Sequence, residues 1–167
     1  MSFLFFMLPV LIVAGAFLWL KPSPRDQFLA KLRSGALQQG FKISSLKVPD
    51  LSEFGRVNNK YEIVTLYEKG LRLENGSLPQ FTVVRTSGEC GAYLPEGWAW
   101  DKRIHLNEAQ YVLIADKLAK LPQSISVVCL MNESVAVSWD EKDPNITFEI
   151  LNTELSKLAL DFNRTPI

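Results

Sequence analysis

Few residues of this 167-residue chain have the types and spacing that catalysis or metal binding needs. The chain has one histidine, His105, and two cysteines, Cys90 and Cys129, which are too few for a tetrahedral metal site. Neither GxxxxGK[ST] nor GxGxxG occurs, so no nucleotide-binding loop is predicted. His105 directly precedes a predicted helix cap, where we expect an ordinary surface or capping side chain. The sequence therefore predicts no catalytic residue, no metal site and no cofactor.

The segment around Cys90 leaves one enzymatic alternative open. Cys90 lies in Ser87-Gly88-Glu89-Cys90-Gly91, where the flanking glycines could expose a reactive thiolate. No CxxC partner accompanies it. Cys129 lies in a hydrophobic segment, where we expect a core side chain. A membrane-tethered enzyme that uses the Cys90 thiol is therefore the alternative to a binding protein without enzymatic activity.

The most unusual local run is Pro95-Glu96-Gly97-Trp98-Ala99-Trp100-Asp101-Lys102-Arg103. Tryptophans at positions i and i+2 point to the same side of an extended chain. With Lys102 and Arg103 beside them, Trp98 and Trp100 predict a partner-binding surface, because tryptophan and arginine are concentrated at protein interfaces. The competing interpretation, which we prefer for the two rings, is that both cap the open end of a small core.

An apolar segment at the start of the chain predicts a transmembrane anchor over residues 1–20. Residues 3–20 read FLFFMLPVLIVAGAFLWL and contain no ionisable side chain. Eighteen helical residues extend about 27 Å, close to the hydrocarbon thickness of a thin bilayer. Trp19 falls where an amphipathic ring meets the lipid headgroups. Cleavage after Ala16 is the alternative, but no lysine or arginine precedes the apolar run, and the run continues beyond Ala16.

The charges of the chain are unevenly distributed, although Lys+Arg and Asp+Glu are equal at 18 each. Four basic residues lie within the first 13 positions after the apolar run: Lys21, Arg25, Lys31 and Arg33. This asymmetry predicts that the N-terminus lies outside and the domain in the cytoplasm. We expect the four side chains to contact lipid headgroups at the membrane surface. The balanced total argues against a nucleic-acid partner.

The remaining residues predict an α+β domain of antiparallel strands with about three helices, the helices lying on one face of the sheet. Residues 21–40 predict a basic juxtamembrane helix, capped by Ser23 and ended by Gly40. Residues 41–167 form the soluble domain. It contains a helix that Asn107 caps and a last amphipathic helix over residues 146–162. The predicted strands cover residues 41–48, 61–68, 71–73, 81–86, 124–130 and 135–139, the last two as a hairpin with one buried face.

Three stretches of the chain resemble a group of small gammaproteobacterial single-pass inner-membrane proteins. They are Phe17-Leu18-Trp19-Leu20-Lys21-Pro22-Ser23-Pro24-Arg25, the Pro-x-Gly-Trp-x-Trp run of residues 95–100, and Trp139-Asp140. These proteins are often identified as YajC-like subunits of the preprotein translocase. The resemblance implies one membrane span, a short α+β domain and a place in an inner-membrane complex. The Gly-Asp and Gly-Gly turn pattern of YajC proteins does not follow Gly40-Phe41-Lys42 in this chain.

These features together predict a membrane-anchored accessory or scaffold protein without enzymatic activity. Its partners are the lipid bilayer and a protein bound by the cytoplasmic domain. Two alternatives stay open: the thiol enzyme that uses Cys90, and an exported periplasmic domain released after Ala16. In the exported protein Cys90 and Cys129 could pair, whereas both are expected to be reduced in the cytoplasm.

Overall fold

The computed structural model describes residues 7, 15, 22–49, 60–71, 79–87, 91–143 and 145–164. The chain divides into two compact units, Met1–Gly35 and Ala36–Ile167. The predicted anchor, apart from Met7 and Gly15, lies outside the described residues, as do Lys21, Cys90 and most of the strand predicted over residues 71–73. Among the helices of the described residues, none combines the length and the apolar character that crossing a bilayer requires.

The predicted basic helix is α1 (Pro24–Gln38), which begins directly after the predicted cap Ser23. The Ser23 hydroxyl accepts a hydrogen bond from the Asp26 amide at 3.1 Å and donates one to the Asp26 carboxylate at 2.6 Å. The bond from the Ser23 side chain lowers the pKa of Asp26 and keeps this carboxylate charged at the positive end of the helix. Gly40, at φ +78°, takes the left-handed conformation with which helices commonly end. Both predicted caps are confirmed.

The second unit is built around one antiparallel sheet of six strands. The strands are β1 (Phe41–Pro49), β2 (Tyr61–Gly70), β3 (Phe81–Arg85), β4 (Trp98–Lys102), β5 (Ile125–Met131) and β6 (Ser134–Trp139). Their order across the sheet is β1-β2-β6-β5-β3-β4, so β1 and β4 form the two edges. Two further helices complete the described part, α2 (Glu108–Ala119) and α3 (Phe148–Arg164). The predicted α+β class with antiparallel strands and three helices is confirmed for these residues.

Helices α2 and α3 pack on the same face of the sheet. On α3, the Phe148 ring lies 5.6 Å from the ring of Tyr67 on β2 and 5.3 Å from that of Trp139 on β6. On α2, the Tyr111 ring meets the ring of Trp100 edge to face at 6.2 Å. Register across the strands places Tyr67, Trp139 and Trp100 on one face, because side chains alternate along a strand.

The opposite face of the sheet is also apolar and buried. Its core cluster consists of Val48, Leu66, Val84, Val127, Cys129 and Ala136. All six residues of β6 are therefore buried, and the prediction of one buried face for the β5–β6 hairpin is wrong. The hairpin supplies the two central strands of the sheet, and both of its faces carry buried side chains. Ser134 compensates for its burial by donating a hydrogen bond to the Glu68 carboxylate at 2.8 Å.

Substitution of Leu151 tests the packing of α3 on the sheet. Leu151 is 2% exposed, so Leu151→Ala removes buried methyl groups and should lower the free energy of unfolding by about 2–5 kcal/mol. The neighbouring Ile150 is 48% exposed, and Ile150→Ala should change that free energy by no more than about 0.5 kcal/mol. Denaturant unfolding of the full-length chain in detergent measures both. Equal effects would show that α3 does not pack as described.

Candidate functional site

The two tryptophans of the unusual run lie on β4, with both rings in the core. Trp98 is 1% exposed and Trp100 is 9% exposed. The interpretation of both rings as core side chains is therefore confirmed, and neither ring is itself available as a contact surface. The prediction that the rings of Trp98 and Trp100 form the partner-binding surface is corrected here. Both rings point from edge strand β4 toward the face of the sheet that the helices cover. The neighbouring Lys102 and Arg103 are exposed, and their role in partner binding stays a prediction.

Trp98 is held in place by Arg85 on the adjacent strand β3. The Arg85 guanidinium carbon lies 4.5 Å from the centre of the Trp98 ring, within the range of a cation–π contact. Its nitrogens donate hydrogen bonds to the carbonyl oxygens of Ile125 at 2.8 Å and Pro122 at 2.9 Å. Partial burial lowers the pKa of Arg85. Arg85 thus ties β3 and β4 to the connection between α2 and β5.

Trp100 connects the sheet to the loop of residues 91–97 and to α2. Its indole nitrogen donates a hydrogen bond to the Ala92 carbonyl at 2.8 Å. Its ring contacts Phe81 at 5.7 Å and Tyr111 at 6.2 Å, both edge to face. A buried indole N–H requires a partner, so this bond fixes the loop against the end of β4.

The loop itself is closed tightly at Gly91. The Gly91 amide donates to the Trp98 carbonyl at 2.8 Å, and the Leu94 amide donates to the Gly91 carbonyl at 2.9 Å. A Cβ atom at position 91 would lie 2.9 Å from the Leu94 side chain and 3.2 Å from the Ala99 backbone. Only glycine fits here without displacing its neighbours.

Tyr93 projects from this loop in a strained conformation. Among the described residues it alone combines a side chain with a positive φ, at +62°. It is 67% exposed, and its ring stacks on Tyr111 with 4.7 Å between centroids and 25° between planes. Such backbone strain persists where the surroundings hold it, and it clusters at functional sites.

Tyr93, Arg103 and Tyr111 form what we call the aromatic–arginine cluster. The Arg103 guanidinium carbon lies 5.9 Å from the Tyr93 ring centre and 5.8 Å from the Tyr111 ring centre. One of its nitrogens donates to the Tyr111 hydroxyl, which in turn donates to the Ile104 carbonyl, each at 3.4 Å. The cluster therefore presents a cation beside a stacked pair of tyrosine rings.

A cavity of about 660 Å³ opens beside the cluster at the start of α2. Its walls are formed by Tyr93, His105, Leu106, Asn107, Glu108, Tyr111, Val112 and Ala115. The start of α2 is fixed by a reciprocal cap, in which Asn107 and Gln110 each accept a hydrogen bond from the other's backbone amide. This confirms Asn107 as the predicted cap. His105 is exposed on the wall of this cavity.

The predicted membrane-surface residues do not all lie on one side of α1. Arg25, Phe28 and Lys31 are exposed and three residues apart, so they share one face with the aromatic ring between two cations. Arg33 is half-buried and lies two residues beyond Lys31, about 200° around the helix. Arg25 lies between the other two cations, about 120° from Lys31 on one side and about 80° from Arg33 on the other, so only Lys31 and Arg33 lie on opposite sides of the helix. Lys21 lies outside the described residues.

The cysteines and the carboxylates give no second site among the described residues. No three of their histidine, cysteine, aspartate and glutamate side chains are arranged to hold a metal ion. Cys129 is buried on the sheet, and burial raises the pKa of its thiol. Cys90 lies outside the described residues, so its use as a catalytic thiol stays a prediction.

Nothing in the sequence identifies Tyr93 and Tyr111 as residues of the site. They are 18 positions apart, and tyrosine is not a residue that the left-handed conformation favours. The one usable signal is Gly91, which indicates a tight turn just before Tyr93. No protein family model, curated protein or solved structure matches the chain.

Burial and a raised pKa should make Cys129 unreactive in the folded protein. At pH 8 we expect iodoacetamide to label Cys129 far more slowly in the native full-length chain than in urea, because the thiolate is disfavoured and shielded. Because burial disfavours the thiolate, ionisation of Cys129 opposes folding, so the fold loses stability as the pH rises above the ordinary thiol pKa of about 8.5. Peptide-resolved mass spectrometry measures the labelling. Equal rates in the two states would contradict the buried position of Cys129.

Proposed function

We propose that the protein is a single-pass bacterial inner-membrane protein without enzymatic activity, whose cytoplasmic domain binds a protein partner in a membrane complex. The observation that supports partner binding most directly is the aromatic–arginine cluster beside a cavity, in which Tyr93 and Arg103 are exposed and Tyr111 is buried beneath them. The apolar residues 3–20 and the basic residues that follow them support the membrane anchor and its orientation.

The composition of the cluster suits a protein partner. Tyrosine and arginine are enriched among the residues that dominate binding energy at protein interfaces. Tyr93 is exposed, yet its ring is stacked on Tyr111 and its loop is bonded to buried Trp100. Little side-chain freedom is therefore left to lose on binding, which favours affinity.

The exposed face of α1 suits a membrane surface. Phe28 lies between Arg25 and Lys31 on this face, and interfacial helices combine an apolar ring with basic side chains in this way. Each cation near an anionic headgroup layer contributes about 1 kcal/mol. The helix begins at Pro24, directly after the predicted anchor, so headgroup contact here is consistent with a tether.

Site-specific photo-crosslinking in cells tests partner binding. A photoreactive phenylalanine analogue at position 112 replaces an exposed valine on the cavity wall. We expect one dominant crosslinked species in the membrane fraction. The matched control places the same analogue at position 63, an exposed isoleucine on β2, where that species should be absent. Failure to crosslink at position 112, or the same products at both positions, would contradict the proposal.

The same cells test the anchor and its orientation through a tag at the C-terminus. The tagged protein should stay in the membrane fraction after alkaline washing. In spheroplasts the tag should resist added protease, because the domain faces the cytoplasm. A tag that is degraded would place the domain outside, and a protein released into the soluble fraction would refute the anchor.

A further inference from the structure

Arg103 carries a charge that no described carboxylate neutralises. A guanidinium has five N–H donors, and the one polar partner of Arg103 among the described residues is the Tyr111 hydroxyl. No ion pair between Arg103 and an aspartate or glutamate occurs in the described part of the chain. The guanidinium lies against the stacked tyrosine pair and is exposed, so its remaining donors are available to a partner at this place on the surface.

The cavity beside Arg103 offers an apolar surface of suitable size. Leu106, Val112 and Ala115 supply aliphatic side chains to its walls, and Tyr111 supplies a ring. A volume of about 660 Å³ lies within the range of about 300–1,000 Å³ that is usual for ligand-binding pockets. This space accommodates an apolar side chain together with the backbone that carries it.

We infer that the occupant is a segment of the protein partner that carries a carboxylate beside an apolar side chain. The carboxylate pairs with Arg103, and the apolar side chain enters the cavity against Val112 and Ala115. This inference rests on the proposed function, since it specifies the partner chemistry of the same surface.

Charge complementarity selects an acidic segment. A planar carboxylate can accept two parallel hydrogen bonds from one guanidinium, whereas a basic segment would place like charges together. Glu108 also lies on the cavity wall, in the first turn of α2, where its charge complements the helix dipole. Arg103 is not itself on the cavity wall but contacts Tyr93 and Tyr111, which are, so the carboxylate of the partner pairs with Arg103 next to these rings while the apolar side chain occupies the cavity.

A peptide selection on the full-length protein in nanodiscs tests this chemistry. The probe is a displayed library of random 12-residue peptides, followed by a fluorescently labelled synthetic copy of the best binder. We expect the selected sequences to place aspartate or glutamate within a few positions of a large apolar residue. Replacing that acid by its amide should weaken binding by about 10- to 100-fold, the range expected for a hydrogen bond to a charged group.

Variants of the protein locate the contact. Arg103→Gln should weaken binding of the acidic peptide by the same factor. Lys42→Gln is the matched control, because Lys42 is an exposed cation on β1, the edge of the sheet opposite β4. It should change affinity by less than about threefold. Arg103→Glu should restore binding to a peptide whose acid is replaced by lysine, an outcome that misfolding cannot produce.

Three outcomes would overturn the inference while leaving partner binding intact. One is a set of selected peptides that have no acid and bind Arg103→Gln as tightly as the unaltered protein. Another is failure of the charge exchange to restore binding. The third is competition by free benzoate at the affinity of the peptide, which would assign the cavity to a small acid. Loss of the crosslink at position 112 in cells, by contrast, would refute the proposed function itself.

Discussion

The hydrogen bond from the Trp100 indole to the Ala92 carbonyl is the interaction on which the candidate surface depends. Leaving a buried N–H without a partner costs about 1–3 kcal/mol, so the core of the domain requires the loop to stay where it is. The same indole ring contacts Tyr111, which places α2 against the end of β4. Trp100 therefore contributes both to the core and to the position of the loop that carries Tyr93. The aromatic–arginine cluster is attached to the core through these contacts.

The position of β4 in the sheet explains how a buried residue can control an exposed one. β5 and β6 lie at the centre and are buried on both faces, whereas β4 is an edge strand. Its side chains meet the core on one side, and its end leads directly to the surface at Arg103. The unfavourable backbone of Tyr93 is offset there by stacking on Tyr111 and by the bonds that close the loop at Gly91. The strained backbone of Tyr93 is thus the energetic cost of keeping its ring exposed to solvent.

The parts of the fold that follow from the sequence are those set by neighbouring residues. The caps at Ser23 and Asn107 depend on contacts over three positions. The sheet order and the full burial of β6 depend on pairings between distant segments. In the sequence, the small side chains of Ala136 and Ser138 are typical of a face exposed to solvent, which is why the prediction gave the hairpin one buried face. The cluster is equally non-local, since Tyr93 and Tyr111 are 18 positions apart and the loop that carries Tyr93 is bonded to Trp100. The tryptophan run therefore lies next to the candidate surface. Its two rings are buried and support that surface from the core.

Amide hydrogen exchange in Trp100→Phe tests most directly whether Trp100 holds this surface. Phenylalanine keeps a ring in the core but cannot donate to Ala92, so the loop should open more often. Exchange of the Leu94 amide, which is bonded to the Gly91 carbonyl, should rise by about fivefold or more, while the amides of central strand β6 stay unchanged. Unchanged exchange at Leu94 would show that the loop and Tyr93 are held without Trp100, and would contradict this account.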